Sequence, residues 1–313
     1  MTSTGTHGDR NIDTRTTPAD SARPGFRARV PAALQRFTPL LKSLQTSLLL
    51  VTGLAGFASA RCPVVHWSTL LGLAGSLFLA ISGSTVLNMW HDRDIDSIMP
   101  RTCNRPLPTG RVSPREALLL GIAMSALGVG WALLLRPLYG LIVFAGLFFD
   151  VVIYTLWLKR RTPWAIVWGG VSGGMPVLAG RALGLGSVDW IGGLLALAVL
   201  LWIPTHILTF AMRYDSDYRR AGVPTVASVY GFRTARWLVA VSSVLAAAAM
   251  VAAAVGIGMA WGYLRLLAVL GAGLLLLAAG TVLRPSENGN FGLFKYASVY
   301  MLSSMVAVML EVL

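Results

Sequence analysis

The chain has 313 residues, of which 55% are hydrophobic and only 12% are charged, and its mean hydropathy is +0.67. These values exclude a water-soluble globular protein of ordinary composition and predict an integral membrane protein. The net charge of +13 does not by itself indicate nucleic-acid binding, because membrane chains accumulate Lys and Arg on their cytoplasmic side.

Residues 1–33 are polar and basic, and we expect them to form a disordered cytoplasmic tail because they lack the apolar run of a secretory signal. Residues 34–313 are expected to form one all-α, polytopic membrane domain. A helix needs about 20 mostly apolar residues to cross the hydrocarbon, and nine such runs follow one another. Their predicted limits are 38–60, 68–90, 114–135, 138–158, 163–184, 188–212, 234–257, 262–283 and 292–313.

The cationic residues predict the orientation of these spans. Placing the N-terminus in the cytoplasm puts 22 of the 26 Lys and Arg residues on the cytoplasmic side, and it leaves Arg61, Arg136, Arg181 and Arg265 on the other. This asymmetry follows the positive-inside rule. The sequence therefore predicts a multi-pass protein of the plasma membrane whose C-terminus lies on the side opposite to the cytoplasm.

Five of the thirteen acidic residues lie in two short segments, at the cytoplasmic ends of the second and sixth spans. The first segment, 88–110, contains Asp92, Asp94 and Asp96, and the second, 213–224, contains Asp215 and Asp217. Acidic residues contribute little to topology, so their clustering has another cause. Their equivalent placement, four spans apart on one membrane face, suggests an internal duplication with one acidic site in each half.

The spacing in the first segment predicts a metal-binding stripe. Asn88, Asp92 and Asp96 lie four residues apart, so on a helix their side chains fall within about 80° of one another. Hard oxygen ligands without His or Cys favour Mg²⁺ over zinc or copper. Because Mg²⁺ is usually held by one or two carboxylates together with substrate phosphates, the stripe also predicts a phosphorylated substrate. Asp94 points away and is expected to pair with an arginine.

In the second segment Asp215 and Asp217 cannot share a helix face, because they are two residues apart. Asp217 is the favoured inward ligand, and Asp215 is a second candidate. Further polar residues near the two segments are candidates for holding phosphate oxygens. They are Arg101, Arg105, Lys159, Arg160, Arg213 and Tyr214. Two carboxylate sites with cations between them favour a diphosphate site; the alternative is a solvated helix end whose charges pair locally.

One histidine lies deeper in the sixth span. His206 follows Pro204, which frees a backbone carbonyl and bends the helix, so His206 is a candidate for facing the cavity. The alternative is a packed, hydrogen-bonded histidine with no contact to a ligand.

Several motifs resemble, in the same order, those of the UbiA superfamily of intramembrane prenyltransferases. After Asn88, Asp92 and Asp96 come R-T-C-N-R-P-L-P-T-G at 101–110, Y-T-L-W-L-K-R-R-T-P at 154–163, W-I-P-T-H at 202–206 and D-Y-R-R-A-G-V-P at 217–224. Within the superfamily, the heme O synthase (protoheme IX farnesyltransferase) branch is the most similar. Ala221 stands where quinone-type relatives have a further Asp, which favours that branch.

The resemblance implies a nine-helix bundle around a central cavity and a Mg²⁺-dependent transfer of a farnesyl group from farnesyl diphosphate to a vinyl group of heme B, giving heme O. It implies that His206 orients or binds the heme. The paired acidic segments lead to the hypothesis that Asn88, Asp92 and Asp96 hold one Mg²⁺ and that Asp217, helped by Asp215, holds another. Neutralisation of the departing diphosphate then falls to Arg101, Arg105 and Lys159.

Two other functions remain open from the sequence. One is prenylation of an aromatic or quinone precursor by the same diphosphate chemistry. The other is transport of a phosphorylated solute, which is disfavoured because transporters place their binding residues near the bilayer midplane, whereas these charges gather at one face. The expected partners are farnesyl diphosphate, heme B and the lipid bilayer, with no nucleic acid.

Overall fold

The structure is a computed structural model that describes residues 36–41, 43–62 and 66–311, with the backbone alone for 43 and 44. The predicted tail at 1–33 and Lys42 lie outside the described residues. Regular structure in the described ranges is helical, with a 3₁₀ turn at Thr38–Leu41 and a π-helical segment at Phe149–Leu158 that directly continues α5. The α-helices are α1 (Ser43–Ser59), α2 (Trp67–His91), α3 (Arg93–Ile98), α4 (Pro114–Leu135), α5 (Pro137–Phe148), α6 (Ala165–Leu185), α7 (Trp190–Arg213), α8 (Asp215–Arg220), α9 (Val226–Ile257), α10 (Trp261–Leu283) and α11 (Glu287–Leu310).

Long helices lie over all nine predicted segments, but the count of nine membrane spans is not confirmed. Among the described helices, seven are long and apolar enough to cross a membrane, and one of these is α5 together with its π-helical continuation. α1 contributes only a shorter apolar stretch, Gln45–Ser59. α6 is not among the seven, because its glycines and Arg181 lower its hydropathy. The chain is a multi-pass integral membrane protein.

The helix directions bring both acidic segments to one end of the bundle, called the acidic end. α2 and α7 both run toward it, and each is followed by a six-residue helix, α3 or α8, after a single junction residue. The junction residues are Asp92 and Tyr214. The two halves of the chain therefore end their second and sixth predicted spans in the same way, as a duplicated unit would.

Two apolar cores flank the interior of the bundle. One joins α7, α9, α10 and α11 around Leu195 and Met250, and the other joins α2, α4, α5 and α6 around Leu77 and Tyr139. A smaller cluster at the acidic end includes Ile95 of α3 and residues that follow α8. Burial of these apolar surfaces against one another fixes the helices that form the walls of the site.

α1 and α6 cross so closely that glycine is required at the crossing. A Cβ atom on Gly180 would lie 1.9 Å from the carbonyl oxygen of Gly53, and a Cβ atom on Gly56 would lie 2.0 Å from that of Val177. Both clashes are with backbone, which cannot move aside as a flexible side chain can. Small residues at such close crossings are typical of membrane helices. The crossing anchors α6, whose first turn forms part of the cavity wall.

Replacing Gly180 by Ala is expected to lower the free energy of unfolding by about 3 kcal/mol, because the added methyl group forces α1 and α6 apart. Gly193→Ala on α7 is the matched control, since a Cβ atom there meets nothing within 4 Å. Thermal unfolding in detergent micelles measures both variants. Equal unfolding midpoints for the two variants would show that the close crossing is not required.

Candidate active site

The first acidic segment lines a cavity at the acidic end. Asn88, Asp92 and Asp96 all contribute to its wall, and Asp92 and Asp96 are only 2% and 4% exposed. α2 ends just before Asp92, yet the backbone N–H of Asp92 bonds the carbonyl of Asn88 at 2.9 Å, and that of Asp96 bonds the carbonyl of Asp92 at 2.8 Å. Helical spacing is thus kept across the junction, and the predicted stripe of three oxygen-bearing side chains is present.

Three cationic side chains lie around this stripe, two from later in the same segment and one from the end of the π-helical segment. Lys159 forms an ion pair with Asp92, and Arg105 lies 2.6 Å from Asp96. Arg101 also lines the cavity and is held over the rings of Phe210 and Tyr214, with 4.7 and 5.2 Å to their centroids. The cavity therefore contains both carboxylates, which are suited to a metal ion, and cations, which are suited to phosphate oxygens.

Lys159 is charged in spite of its position. Burial opposes the charge, but the ion pair with the Asp92 carboxylate keeps the pKa of the Lys159 amine above its ordinary value. The amine therefore carries a full positive charge at neutral pH. A fixed charge of this kind suits a group that must neutralise an anionic substrate.

The oxygens of the stripe fit a magnesium ion. Asp92 Oδ1 is buried and has no hydrogen-bond donor among the described residues, and the nearest Arg160 nitrogen lies 3.8 Å away. Leaving such an oxygen unpaired is costly, and a cation would satisfy it. The described residues contain no cluster of three or more His, Cys, Asp or Glu side chains placed to hold a metal. The two carboxylates of the stripe suit Mg²⁺, which takes one or two carboxylates and completes its shell with phosphate oxygens and water.

Asp94 faces away from the stripe and pairs with an arginine, as predicted. Both of its oxygens accept from Arg160, at 2.6 and 2.7 Å, and Arg160 also donates to the carbonyl of His91 at 2.9 Å. The hydrogen bonds from Arg160 hold the pKa of the Asp94 carboxyl at about 2. The pair holds Arg160 close to Asp92, which lines the cavity.

The second acidic segment is brought against the first. Ile95 and Met99, in and just after α3, pack on Val223, which follows α8. Asp217 is buried at 8% exposure, with an Arg220 nitrogen 3.5 Å away, while Asp215 accepts from Arg219 at 2.6 Å.

Neither Asp215 nor Asp217 lies among the lining residues of the cavity. The second segment contributes Tyr218, Val223 and Pro224 instead, and the next two residues, Thr225 and Val226, also line the cavity. Asp215 Oδ1, like Asp92 Oδ1, is buried without a donor among the described residues.

His206 and Arg213 lie on the side of α7 that faces α11. The His206 imidazole is stacked between Trp202 and Phe294, with 5.0 and 4.4 Å between ring centroids, and its Nδ1 is hydrogen-bonded to Ser298 Oγ at 3.2 Å. The face of α7 that lines the cavity carries Ile207, Leu208 and Ala211.

Arg213 and Tyr214 differ in how they relate to the cavity. The exposed Arg213 guanidinium lies over the ring of Phe291 on α11, 4.2 Å from its centroid. Tyr214 packs on Phe210, with 4.7 Å between centroids. The Tyr214 ring contacts the Arg101 guanidinium and is not among the residues that line the cavity.

Sequence reasoning missed two tyrosines of the cavity wall, Tyr154 and Tyr218. Tyr218 follows the junction residue Tyr214 by four positions, just as Asp96 follows Asp92. Aligning the two halves at their junctions would have indicated that Tyr218 occupies the place of Asp96. Tyr154 carries no such signal, because its orientation depends on the π-helical segment that contains it.

Residues 49–299 match the UbiA prenyltransferase family. A protein named protoheme IX farnesyltransferase from Archaeoglobus fulgidus is 44% identical over 217 residues, which cover 69% of this chain and 75% of that relative. A protein of the same name from Desulforudis audaxviator is 36% identical over 296 residues, which cover 93% of this chain and 91% of the relative.

Solved structures show the same fold. A structure of digeranylgeranylglyceryl phosphate synthase superposes with a TM-score of 0.75 at 19% sequence identity, covering 89% of this chain and 98% of the other. A UbiA homolog from Archaeoglobus fulgidus bound to GPP and Mg²⁺ gives a TM-score of 0.66 at 17% identity, covering 88% and 99%. At these identities the likeness extends to the fold alone.

Removing Lys159 is expected to destabilise the protein by about 3 kcal/mol, because Asp92 is left buried without its cation. Lys159→Met makes this change with little loss of volume. Adding Asp92→Asn in the same chain removes the orphaned charge, so the double variant is expected to regain most of the stability. Thermal unfolding in detergent compares the three proteins, and a double variant no more stable than Lys159→Met would contradict the pairing.

Proposed function

The chain belongs to the UbiA prenyltransferase family, and we propose that it transfers a farnesyl group from farnesyl diphosphate to a vinyl group of heme B, giving heme O. The observation that carries the proposal is the match to a protoheme IX farnesyltransferase over 93% of the chain. The cavity supports it independently, because a carboxylate and amide stripe faces a set of cations there. Both features are required to bind a metal diphosphate.

The stripe and the second acidic segment are the proposed magnesium ligands. Asn88, Asp92 and Asp96 would hold one ion, and Asp217 with Asp215 a second, the latter supported by the buried, donor-free Asp215 Oδ1. Bound Mg²⁺ supplies positive charge that stabilises the diphosphate as a leaving group.

The cations of the cavity bind the diphosphate oxygens in this proposal. Lys159, Arg101 and Arg105 lie on its wall, and Arg160 stands beside it. Their charges neutralise the two phosphates as the allylic C–O bond breaks and its electron pair leaves with the diphosphate. Arg213 and Tyr214 do not line the cavity, and their proposed contribution to diphosphate binding is indirect. Tyr214 contributes by stacking on Arg101.

Heterolysis leaves an allylic cation, and the cavity offers groups that stabilise it. The rings of Tyr154 and Tyr218 line the same cavity, and aromatic faces attract cations. The vinyl π-bond of heme B then forms the new C–C bond. Water adds to the resulting cation and loses a proton, which gives the hydroxyethylfarnesyl product. His206 is the proposed heme contact; because its ring faces α11, such a heme would lie along α7 and α11.

The arrangement of charges supports an orientation in the membrane. The acidic end carries the cations of the predicted cytoplasmic loops, so we place the site and the N-terminus in the cytoplasm, the C-terminus on the opposite side, and the protein in the plasma membrane. A diphosphate substrate would then enter from the cytoplasm, while its apolar chain remains among the helices, away from water.

Asp92→Ala is expected to reduce farnesyl transfer to heme B by at least about a hundredfold, since loss of a residue that only orients a metal ligand already costs about 10–100-fold. Ser97→Ala is the control from the same segment, because Ser97 is exposed and does not line the cavity, and it is expected to keep most of the rate. Product mass spectrometry after incubation in lipid vesicles provides the measurement. Equal rates for Asp92→Ala and the wild type would exclude the proposed site.

The same assay separates the alternative functions. Incubation with farnesyl diphosphate and 4-hydroxybenzoate tests a quinone-precursor acceptor. If prenylated benzoate forms there and no heme O forms in the incubation with heme B, the acceptor is the quinone precursor and not heme B. A transporter would release no pyrophosphate from farnesyl diphosphate, so metal-dependent pyrophosphate release distinguishes the two classes.

Chelation of divalent cations with EDTA is expected to abolish transfer, because Asp92 and Asp96 would then repel the diphosphate. Added Mg²⁺ should restore the rate, and Mn²⁺, which prefers the same oxygen ligands, should do so in part. Initial rates at a series of free Mg²⁺ concentrations measure the effect. Full activity in excess EDTA would contradict the assignment of the stripe to a metal.

A further inference from the structure

Three side-chain pairs connect α2 to the π-helical segment, with both helices running toward the acidic end. The pairs are Ser84 with Asp150, Asn88 with Thr155, and Asp92 with Lys159. Successive pairs are four residues apart on α2, but five and then four residues apart on the facing segment. A π-helix closes its turn with i→i+5 hydrogen bonds, so the longer step matches its wider turn.

The Thr155 hydroxyl acts once as a hydrogen-bond donor and once as an acceptor. It donates to the backbone carbonyl of Asp150 at 2.7 Å and accepts from the Asn88 amide nitrogen at 3.0 Å. A hydroxyl has a single proton, so it presents only lone pairs to Asn88. The Asn88 amide must therefore turn its nitrogen toward Thr155, which leaves its oxygen for the cavity that Asn88 lines.

The π-helical register makes this arrangement possible. Thr155 bonds a carbonyl five residues earlier, whereas Ser76 and Thr209 in α-helices bond carbonyls four residues earlier. The backbone N–H of Lys159 continues the register, because it bonds the carbonyl of Tyr154, also five residues earlier, at 2.8 Å. Thr155 is only 1% exposed and does not line the cavity, and Asn88 is the cavity residue whose side chain its hydroxyl contacts.

We propose that Thr155 is a positioning residue that locks the Asn88 amide with its oxygen, and not its nitrogen, toward the metal ion. This inference rests on the proposed function, in which Asn88 is a Mg²⁺ ligand. An amide nitrogen carries two protons and has no lone pair for a cation. Without the Thr155 hydroxyl the amide loses the partner that fixes its orientation, and part of the population offers the metal a non-ligating group.

Metal binding is measured directly, with Mn²⁺ as the probe and electron paramagnetic resonance as the readout. The full-length protein is saturated with farnesyl S-thiolodiphosphate, an unreactive substrate analogue. Thr155→Val keeps the shape of the side chain but removes the hydroxyl, and it is expected to weaken Mn²⁺ binding by about 10–100-fold. Thr155→Ser keeps the hydroxyl and is expected to bind Mn²⁺ as the wild type does. If Thr155→Val does not fold, Thr155→Ala replaces it as the variant without the hydroxyl, with the same expected loss of Mn²⁺ binding.

A double-variant cycle shows whether Thr155 acts through Asn88. In an Asn88→Ala background, Thr155→Val is expected to cause no further loss, because the amide that Thr155 orients is gone. Additive losses, or wild-type Mn²⁺ binding by Thr155→Val, would overturn the inference. If Mn²⁺ binding is absent from the wild type or is unaffected by Asp92→Ala, the proposed function fails instead. Binding that depends on Asp92 but not on Thr155 rejects only the positioning role.

Discussion

Two carboxylates buried at one end of an apolar bundle, Asp92 and Asp96, set the condition on which the rest of the site depends. A buried carboxylate remains ionised only where a cation or hydrogen-bond donors compensate for its lost hydration. In this structure Lys159 and Arg105 provide that compensation. Ammonium and guanidinium groups also bind phosphate oxygens. In the proposed function, the cations that stabilise the free site are therefore also the ones that would bind a diphosphate once a metal ion pairs with the carboxylates.

This exchange requires that the acids and cations stay in register while their partners change. The register is set by rigid elements: α2 carries the acids, the π-helical segment leads to Lys159, and side-chain pairs join the two at each turn. α6 closes the next wall and is held by its crossing with α1, where Gly56 and Gly180 permit backbone contact. The apolar packing of the bundle thereby fixes the positions of a few charged atoms at its end.

Hydropathy and spacing predicted the features that depend on local sequence. They located the long helices within a few residues, apart from the start of α9, and the four-residue spacing of Asn88, Asp92 and Asp96 placed these side chains on one wall. Features that depend on packing between distant segments were not predictable in this way. The sequence does not reveal the π-helical segment, which turns Tyr154 into the cavity, or the kink at Gly231, where a φ of 85° lets α9 begin earlier than expected. The side of α7 on which His206 lies depends on its stacking with Phe294.

The most direct test of this account is an experimental structure of the protein with Mg²⁺ and farnesyl S-thiolodiphosphate. The account predicts a metal ion bound to Asn88, Asp92 and Asp96, with the Lys159 amine moved from Asp92 to a phosphate oxygen. The contradictory result is a diphosphate bound elsewhere while the Lys159–Asp92 ion pair remains intact, since the exchange of partners would then play no part in substrate binding.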